Sequence, residues 1–393
     1  MEVNQIYSLL NNVTGEILGK NDIVNEDLTN VVDIGNNILS NAGVDNYVKS
    51  LVNHIGKVIF VNRPYTGSAP SVLMDSWEYG SIAEKISAEM PNAVENDSWN
   101  LTNGTDYSPN VFNKPTVDVK FYNKRITFEV DVSFTERQIK ESFTNATQLN
   151  GFLSMLYNNV EKAMTVKIDS LIMRTINNMI GETIYSDYAS AALGTKSGVK
   201  AVNLFKLYSD YITQTGGTIN FTPINAIYNA DFIKFAIHTM TLYVDRLSKI
   251  STLFNIGKKS RFTSKDFLNL IMLSDFKSAA NIYLSADTYN DNYVMLPKSD
   301  TVPYWQGSGI DYNFESVSSI NIKTSDNHSV NASGILAVMF DRDALGVTNI
   351  DRRVTTHYNA KAEFFNNFYK FDAGYFNDFN ENFVVFFISD NKV

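Results

Sequence analysis

The stretch LNGFLSMLYNNVEKAMTVKIDSLIMRTINNMI, residues 149–180, decides the fold class, because its apolar residues recur at intervals of three and four. The stripe consists of Leu149, Phe152, Leu153, Leu156, Val160, Met164, Ile168, Leu171, Ile172, Ile176 and Ile180. No proline interrupts it, and its one glycine, Gly151, lies near the start. The spacing predicts a helix over 148–180, about 50 Å long. A helix so far beyond the usual roughly three or four turns is expected to lay one amphipathic face along something long.

Upstream of this helix the apolar period changes from about 3.6 residues to two. The alternating apolar residues are Val117, Val119, Phe121, Ile126, Phe128, Val130, Val132 and Phe134. Asn123-Lys124 between the two runs predicts a turn, so this pattern predicts a long antiparallel hairpin. The segment before it, 80–115, contains several prolines and little periodicity, and loops of that length usually have a function.

Composition excludes several classes of protein. The chain has 393 residues, 44% hydrophobic and 19% charged, which is enough to bury a large core. A net charge of -9 argues against a protein whose main function is to bind nucleic acid phosphates. The absence of cysteine excludes disulfides, thiolate zinc sites and thiol nucleophiles. No signal peptide and no apolar run of about 18 residues is found, so we expect cytosolic synthesis and no contact with a membrane.

The C-terminal half predicts mixed helices and strands. The predicted helices are 203–213, 230–247 and 264–270. The predicted strands are 224–228, 281–284, 317–323, 334–340, 353–358 and further strands within 361–388. The last of these segments is dense in aromatic residues, from Phe364 to Phe387. Such density favours a core or a subunit interface over a platform for ligand stacking, since aromatic side chains bury the most area.

The stretch FDRDALGV, residues 340–347, raises the question of a metal site. Asp341 and Asp343 flank Arg342, and an acid-x-acid pair holds divalent metals in some sugar-nucleotide transferases, because hard cations prefer oxygen ligands. The apolar run before the pair predicts a buried strand that ends at it. We favour a strand end at which Arg342, Arg352 and Arg353 neutralise the two acids.

Other chemistries find little support in the sequence. His54, His238, His328 and His357 lie far apart, and none has a second ligand at metal-binding spacing. No nucleophile elbow or phosphate-binding loop is present. The basic cluster Lys258-Lys259-Ser260-Arg261 lacks an aromatic stacking array and is interpreted as a solvated turn. We therefore predict no catalytic residue, no cofactor and no metal, and a protein that is not an enzyme.

The order of these elements resembles the Hong Kong 97-type major capsid protein of tailed bacteriophages. Three stretches carry the resemblance, which covers about residues 75–388. They are VSFTERQIKESF (132–143), VMLPKSDTVPYWQGSG (294–309) and the stretch 334–387 that begins GILAVMFDRDALGV and ends FNENFVVFF.

The resemblance implies an α+β, Hong Kong 97-like capsid fold with an N-terminal arm, an extended β-hairpin loop, a long spine helix, and peripheral and axial domains. The arm would be 1–75 and the extended loop 76–135. The peripheral domain with the spine helix would be 136–200, the mainly axial domain 201–325, and the peripheral sheet 326–393.

The resemblance also implies a function. The chain would self-assemble as hexamers and pentamers into the icosahedral head that encloses the double-stranded DNA genome of a tailed phage. The extended loop would lie on a neighbouring subunit, because an excursion with little core of its own gains stability only by burial on another copy. Portal and scaffolding proteins would be partners, with room for a decoration protein and non-specific contact with packaged DNA. Assembly would take place in the cytoplasm of the bacterial host, with any scaffold a separate protein.

Some relatives join their subunits by a lysine–asparagine isopeptide bond. Lys114, Lys120 and Lys124 in or beside the predicted hairpin and Asn359 are present, but the sequence identifies no reactive pair.

Three alternatives remain open at this point. The same fold could form an encapsulin-like nanocompartment shell around enzyme cargo. A metal-dependent glycosyltransferase could use Asp341 and Asp343. A carbohydrate-binding or adhesion module could be built on the aromatic C-terminal segment.

Particle size separates shell from enzyme. We expect negative-stain microscopy of the expressed protein to show closed shells or capsomers, and substitution of Asp341 or Asp343 to damage assembly and not turnover. A monodisperse 44.2 kDa monomer that never assembles, even with scaffold and portal supplied, would contradict the shell hypothesis.

Overall fold

A computed structural model of the chain describes residues 69–74, 83–107, 109–110, 112–135, 146–188, 197–287, 299–305 and 320–389. The predicted arm at 1–75 lies outside the described residues except for 69–74, and so does His54. The helices are α1 Ala146–Tyr188, α2 Leu204–Gln214, α3 Ala230–Leu247 and α4 Ser274–Asp287. The strands are β1 Leu73–Met74, β2 Ala83–Ala88, β3 Val117–Tyr122, β4 Arg125–Thr135, β5 Ala201–Asn203, β6 Leu268–Leu273, β7 Ser299–Val302, β8 Ile320–Lys323, β9 Ser329–Ala332, β10 Ile335–Asp341, β11 Leu345–Asn359, β12 Phe364–Asn377 and β13 Phe383–Phe387.

The long helix is confirmed, and α1 extends further than predicted, to 43 residues. The described part of the predicted stripe, from Val160 to Ile180, is buried. Beyond Leu171 the helix is buried on most of its circumference, and Thr175 and Thr183 lie inside the core. Their hydroxyls donate to the carbonyls of Leu171 and Met179, so their burial leaves no hydroxyl without a partner. None of the helices in the described part of the chain has the length and apolar character needed to cross a membrane.

A mixed five-stranded sheet forms the centre of the core, in the order β5-β13-β10-β6-β7. Every residue of β10 is buried, as a continuous apolar run in a central strand requires. The neighbouring β13 is buried along its whole length and pairs antiparallel with β10. The predicted strand at 334–340 is therefore confirmed, and the fully buried Phe383, Phe386 and Phe387 confirm the core role of the aromatic segment.

A second sheet has the order β1-β11-β12-β4 and contains the two longest strands, β11 and β12. Alternate residues of β12 point into the core, among them Phe365, Tyr369 and Phe371. Cross-strand ring pairs hold β12 to β4, with Phe128 against Phe371 at 5.0 Å and Phe134 against Phe365 at 5.7 Å. Aromatic pairs of this kind add to strand pairing beyond the area that they bury.

The predicted hairpin is wrong, although both of its strands exist. β3 pairs with β2, while β4 pairs along its whole length with β12. The Asn123-Lys124 link thus passes the chain from one sheet to another. The reason is that period-two alternation specifies a half-buried strand but not its partner, which long-range packing decides.

Several short elements also differ from the sequence predictions. The helices predicted at 203–213 and 230–247 are confirmed, and asparagine caps begin both: Asn203 accepts from the Lys206 amide and Asn229 from the Phe232 amide. The helix predicted at 264–270 is wrong, since a 3₁₀ turn leads into β6 there. The strand predicted at 224–228 is a 3₁₀ turn, and 281–284 belongs to α4. Short apolar runs fit either period, so packing settles them. Of 317–323, the described part forms β8.

The buried face of α1 provides a test of the core. Ile176→Ala removes a fully buried side chain and should cost about 2–5 kcal/mol of unfolding free energy, because the surrounding atoms cannot close the cavity completely. Lys167→Ala, at an exposed position on the same helix, should change it by no more than about 0.5 kcal/mol. Urea unfolding of unassembled subunits measures both; equal effects would contradict the assigned face.

Candidate assembly surface

Asp341 ends the central strand β10 and is buried. One carboxylate oxygen accepts a hydrogen bond from the Thr263 hydroxyl at 2.6 Å, and the other accepts from the backbone amide of Asp343 at 2.9 Å. Burial raises the pKa of Asp341, since desolvation outweighs these two donors. One oxygen therefore closes the turn between β10 and β11, and the other ties the end of β10 to Thr263.

Asp343 has a different environment, with its side chain 51% exposed and the Arg342 Nε 3.7 Å away. Arg342 itself lies over the ring of Phe267, 4.4 Å from its centroid. The expectation that Arg353 neutralises this pair is wrong, because its guanidinium binds Asp372 at 2.8 Å and Asp351 at 3.0 Å. The two aspartates are thus separated in role, one structural and one at the surface.

Metal-ligand clusters are absent from the part of the chain that the structure describes: no group of three or more His, Asp or Glu is arranged to hold an ion. Of the described histidines, His328 stacks on the ring of Tyr185 at 4.6 Å. The geometry at Asp341 and Asp343 therefore gives the glycosyltransferase hypothesis no support.

The strands β2 and β3 form a two-stranded ribbon, residues 83–88 and 117–122, that stands apart from both large sheets. Its pattern is the reverse of an ordinary half-buried strand pair. The partly buried face carries Lys85, Ser87, Asp118, Lys120 and Tyr122. The exposed face carries Ile86, Val117, Val119 and Phe121, with Ile86 65% exposed. An ordinary ribbon would turn its apolar face to the core.

In the segment 89–116 that joins the two strands of the ribbon, almost none of the described apolar side chains is buried. Trp99 is 98% exposed and Phe112 is 85% exposed. Met90, Val94, Leu101 and Tyr107 are also exposed. So much exposed apolar surface in one segment of a folded chain is typical of an interaction site.

Ion pairs hold the ribbon on the body of the subunit. Asp378, in the turn after β12, is 2% exposed; its Oδ2 lies 2.9 Å from the Lys85 Nζ and its Oδ1 2.8 Å from the Lys120 Nζ. Lys85 also binds Glu381 at 2.8 Å, and Arg261 binds the same Glu381 oxygen at 3.3 Å. We call Lys85, Lys120, Asp378 and Glu381 the ribbon anchor.

A second set of contacts lies beside the ribbon anchor. Lys259 binds Asp118 of β3 at 2.6 Å and Glu89, just after β2, at 2.5 Å. The ring of Tyr122 lies 4.8 Å from that of Phe376. The interpretation of Lys258-Lys259-Ser260-Arg261 as a solvated turn is therefore wrong for Lys259 and Arg261, which contact the ribbon or its anchor.

The charge state of the ribbon anchor follows from its surroundings. Burial acts to raise the pKa of Asp378, but hydrogen bonds from Lys120 and Lys85 outweigh it and hold the pKa at about 2. Burial acts to lower the pKa of Lys85, yet Asp378 and Glu381 raise it overall. Because the pKa of Asp378 is depressed, its contribution, about 2 kcal/mol, is present above its unfolded pKa and is lost as pH falls toward 2. At neutral pH Asp378 and Lys85 are therefore both charged.

Sequence reasoning missed the ribbon anchor. Lys85, Asp378 and Glu381 match no motif, and Lys120 was considered only as a cross-link candidate. Of the other cross-link candidates, Asn359 accepts from the amides of Lys361 and Ala362 in the turn after β11. The alternation in VDVKFY (117–122) places Lys120 on the face opposite the apolar residues, but the sequence does not show which face turns to the body.

Comparison with known proteins identifies the family. The model of the Phi29-like phage major capsid protein family matches residues 8–387. No curated protein sequence matches the chain.

The comparison with solved structures gives the following matches. The capsid structure of Staphylococcus phage Andhra has a TM-score of 0.51 at 9% identity, covering 84% of this chain and 86% of that one. The capsid structure of the Cyanophage P-SCSP1u has a TM-score of 0.45 at 9% identity, covering 85% and 94%. The first of these shows that the mixed arrangement of helices and strands is one found in a phage capsid.

The two aspartates of the β10–β11 turn should respond differently to substitution, contrary to the expectation from sequence. Asp341→Ala leaves the buried Thr263 hydroxyl and the Asp343 amide without their acceptor and should cost about 1–3 kcal/mol of unfolding free energy. Asp343→Ala should change it by no more than about 0.5 kcal/mol. Urea unfolding measures both. A larger effect at Asp343 would contradict the assigned roles.

Proposed function

The chain belongs to the Phi29-like phage major capsid protein family, and from that premise we propose how its copies join into a shell. Capsid proteins assemble from many copies of themselves. In our proposal the ribbon and the segment 89–116, together residues 83–122, lie on a neighbouring copy in the shell. The copies form hexamers and pentamers, and these close into the icosahedral head around a double-stranded DNA genome.

The exposure of the apolar side chains of residues 83–122 carries this proposal. Trp99 and Phe112 have almost no cover within their own subunit. A large aromatic side chain left in water forfeits roughly 2–3 kcal/mol of burial free energy. A second copy that covers these side chains recovers that free energy, and does so at every repeat of the interface in a closed shell.

The size of this region suits a stable contact between copies. Stable protein interfaces bury on the order of 800 Å² on each partner. Among the described residues from Ile86 to Phe121, ten large apolar side chains are exposed, and the aromatic residues and methionine among them are typical of interface cores. The number and type of these side chains support a stable interface between copies and not a transient one.

The division of the chain remains a proposal that the described elements support. We assign α1 as the spine helix of a peripheral domain at 136–200, completed by the sheet at 326–393. The mainly axial domain at 201–325 contains α2, α3 and α4. The extended loop occupies 76–135, with its two-stranded part formed by β2 and β3 and not by β3 and β4. The arm occupies 1–75.

Partners follow from the same proposal. A head of this kind uses portal and scaffolding proteins and can carry a decoration protein. The net charge of -9 suits a wall that encloses DNA with non-specific contact, because a strongly basic wall would hold packaged DNA too tightly. Assembly takes place in the cytoplasm of the host bacterium. The family match favours this function over the encapsulin-like nanocompartment and over the glycosyltransferase.

Substitution of the exposed aromatics tests the proposal. The double variant Trp99→Ser, Phe112→Ser should fold as the wild-type subunit does but lose most shells, because these side chains contribute little within one subunit and much between copies. Asn103→Ser, at an exposed polar position in the same segment, is the matched control.

Sedimentation and negative-stain microscopy count the shells, and urea unfolding checks the subunit. Normal shells from a well-folded double variant would refute the docking of this segment on a neighbour.

A further inference from the structure

The ribbon contains a pair of like charges that needs an explanation. In the register of β2 and β3, Lys85 lies directly opposite Lys120. Like charges directly opposite one another destabilise a strand pair. Here both ammonium groups bind one carboxylate, that of Asp378, at 2.9 and 2.8 Å. The ribbon therefore depends on Asp378 both for its own pairing and for its attachment to the body.

We infer that Asp378 is a positioning residue that holds the polar face of the ribbon on its own subunit, so that the apolar face is presented to a second copy. This inference rests on the proposed function and deepens it, because it names the residue that decides which face docks.

Besides the ribbon anchor, Lys259 and the Tyr122–Phe376 ring pair contact the ribbon, and most of the contacts between ribbon and body are therefore polar. Ile86, Val119 and Phe121 are exposed on the other face of the ribbon, and of these Phe121 borders the cavity at its foot. At its foot, the ribbon is joined to the body sheet through Asn123-Lys124, and this link lines a cavity of about 370 Å³. The cavity is bounded on other sides by α1 and by the turn between β8 and β9. A strand pair above open space is held by its polar contacts, since close packing is lacking there.

The turn that carries Asp378 is itself well fixed. The Asp378 amide donates to the Ala344 carbonyl at 2.7 Å, and its carboxylate accepts from the Asn380 amide at 3.0 Å. Glu381, held by Arg261, binds Lys85 from the same turn. A rigid acceptor can position two flexible lysine side chains because little of its own freedom is lost on binding.

The occupant of the outer face is a second copy of this chain. The face is continuous with the exposed segment that holds Trp99 and Phe112, and it adds four apolar side chains to the same surface. Glu84 is the one charged residue on this side of the ribbon, so the face suits an apolar partner surface.

Isosteric substitution tests the inference. Asp378→Asn keeps the acceptor for the Asn380 amide and removes the charge that binds the two lysines. Asp378→Glu restores the charge. Lys114→Met, at an exposed lysine of the extended loop, is the control. The chain has no cysteine, so Glu84→Cys and Lys249→Cys give two unique spin-label positions, one on the ribbon and one on the body.

The readout in the unassembled full-length subunit is the distribution of spin–spin distances. We expect one narrow distribution for the wild type and for Lys114→Met, a distribution at least about twice as broad for Asp378→Asn, and recovery in Asp378→Glu. High salt should broaden the wild type toward Asp378→Asn, because the lysines are partly exposed and are screened. Loss of a purely structural residue would instead lower the unfolding midpoint with no dependence of the distances on salt.

The second readout is the shell. The yield of shells should fall about tenfold or more in Asp378→Asn and recover in Asp378→Glu. A photo-cross-linking amino acid in place of Val119 should join two chains in wild-type shells.

Three results would overturn the inference: an unchanged narrow distribution in Asp378→Asn, a broadened distribution with normal shell yield, or a cross-link confined to one chain or to a different protein. Failure of the proposed function would appear separately, in the Trp99→Ser, Phe112→Ser variant.

Discussion

Burial of one long helix against three sheets is the interaction on which the rest of the structure depends. α1 contacts β4, β11 and β12 of one sheet, β5 and β13 of the central sheet, and the β8–β9 pair. A helix that touched a single sheet would leave one side in water, whereas α1 from Leu171 onward is buried on most sides. The free energy gained by burial is proportional to the apolar area removed from water. By burying apolar side chains against several sheets along its length, this helix joins them into one core. The ends of β10 and β12, and with them Asp341 and Asp378, are fixed as a consequence.

The ribbon of β2 and β3 is attached by a different kind of force from the rest of the subunit. Within the body, ring pairs and buried strands provide stability that is insensitive to salt. Between body and ribbon, charged groups provide most of the contact, and their partial exposure makes them responsive to ionic strength. An element attached through its polar face leaves its apolar face exposed. An exposed apolar face is what an element needs if it is to bind another copy of the chain. Among the described residues, the three most exposed large apolar side chains, Trp99, Val94 and Phe112, all lie within residues 83–122.

Much of the fold was accessible from sequence where one pattern ran long enough. The stripe of α1, the apolar run of β10 and the helix at 230–247 left no second interpretation, because each supplies more buried area in one conformation than in any other. The ribbon anchor was not accessible. Lys85 and Asp378 are 293 positions apart, and nothing in the neighbourhood of either residue signals the other. Short runs such as 224–228 and 281–284 failed for a related reason, since a few apolar residues fit both periods and only their neighbours in space choose between them.

The sequence by itself determined that β3 and β4 are strands, that 149–180 is helical, and that the acid pair of Asp341 and Asp343 ends a buried strand. Local periodicity encodes these facts, because it fixes which residues of an element share a face. Only the tertiary structure decided that β3 pairs with β2 and not with β4. It also decided that Asp341 binds Thr263 while Asp343 is exposed to water. The inward orientation of the polar face of the ribbon was likewise decided by the tertiary structure. These outcomes depend on contacts between residues far apart in the chain. The free energy of burial or of an ion pair there depends on which other residues the fold brings into contact.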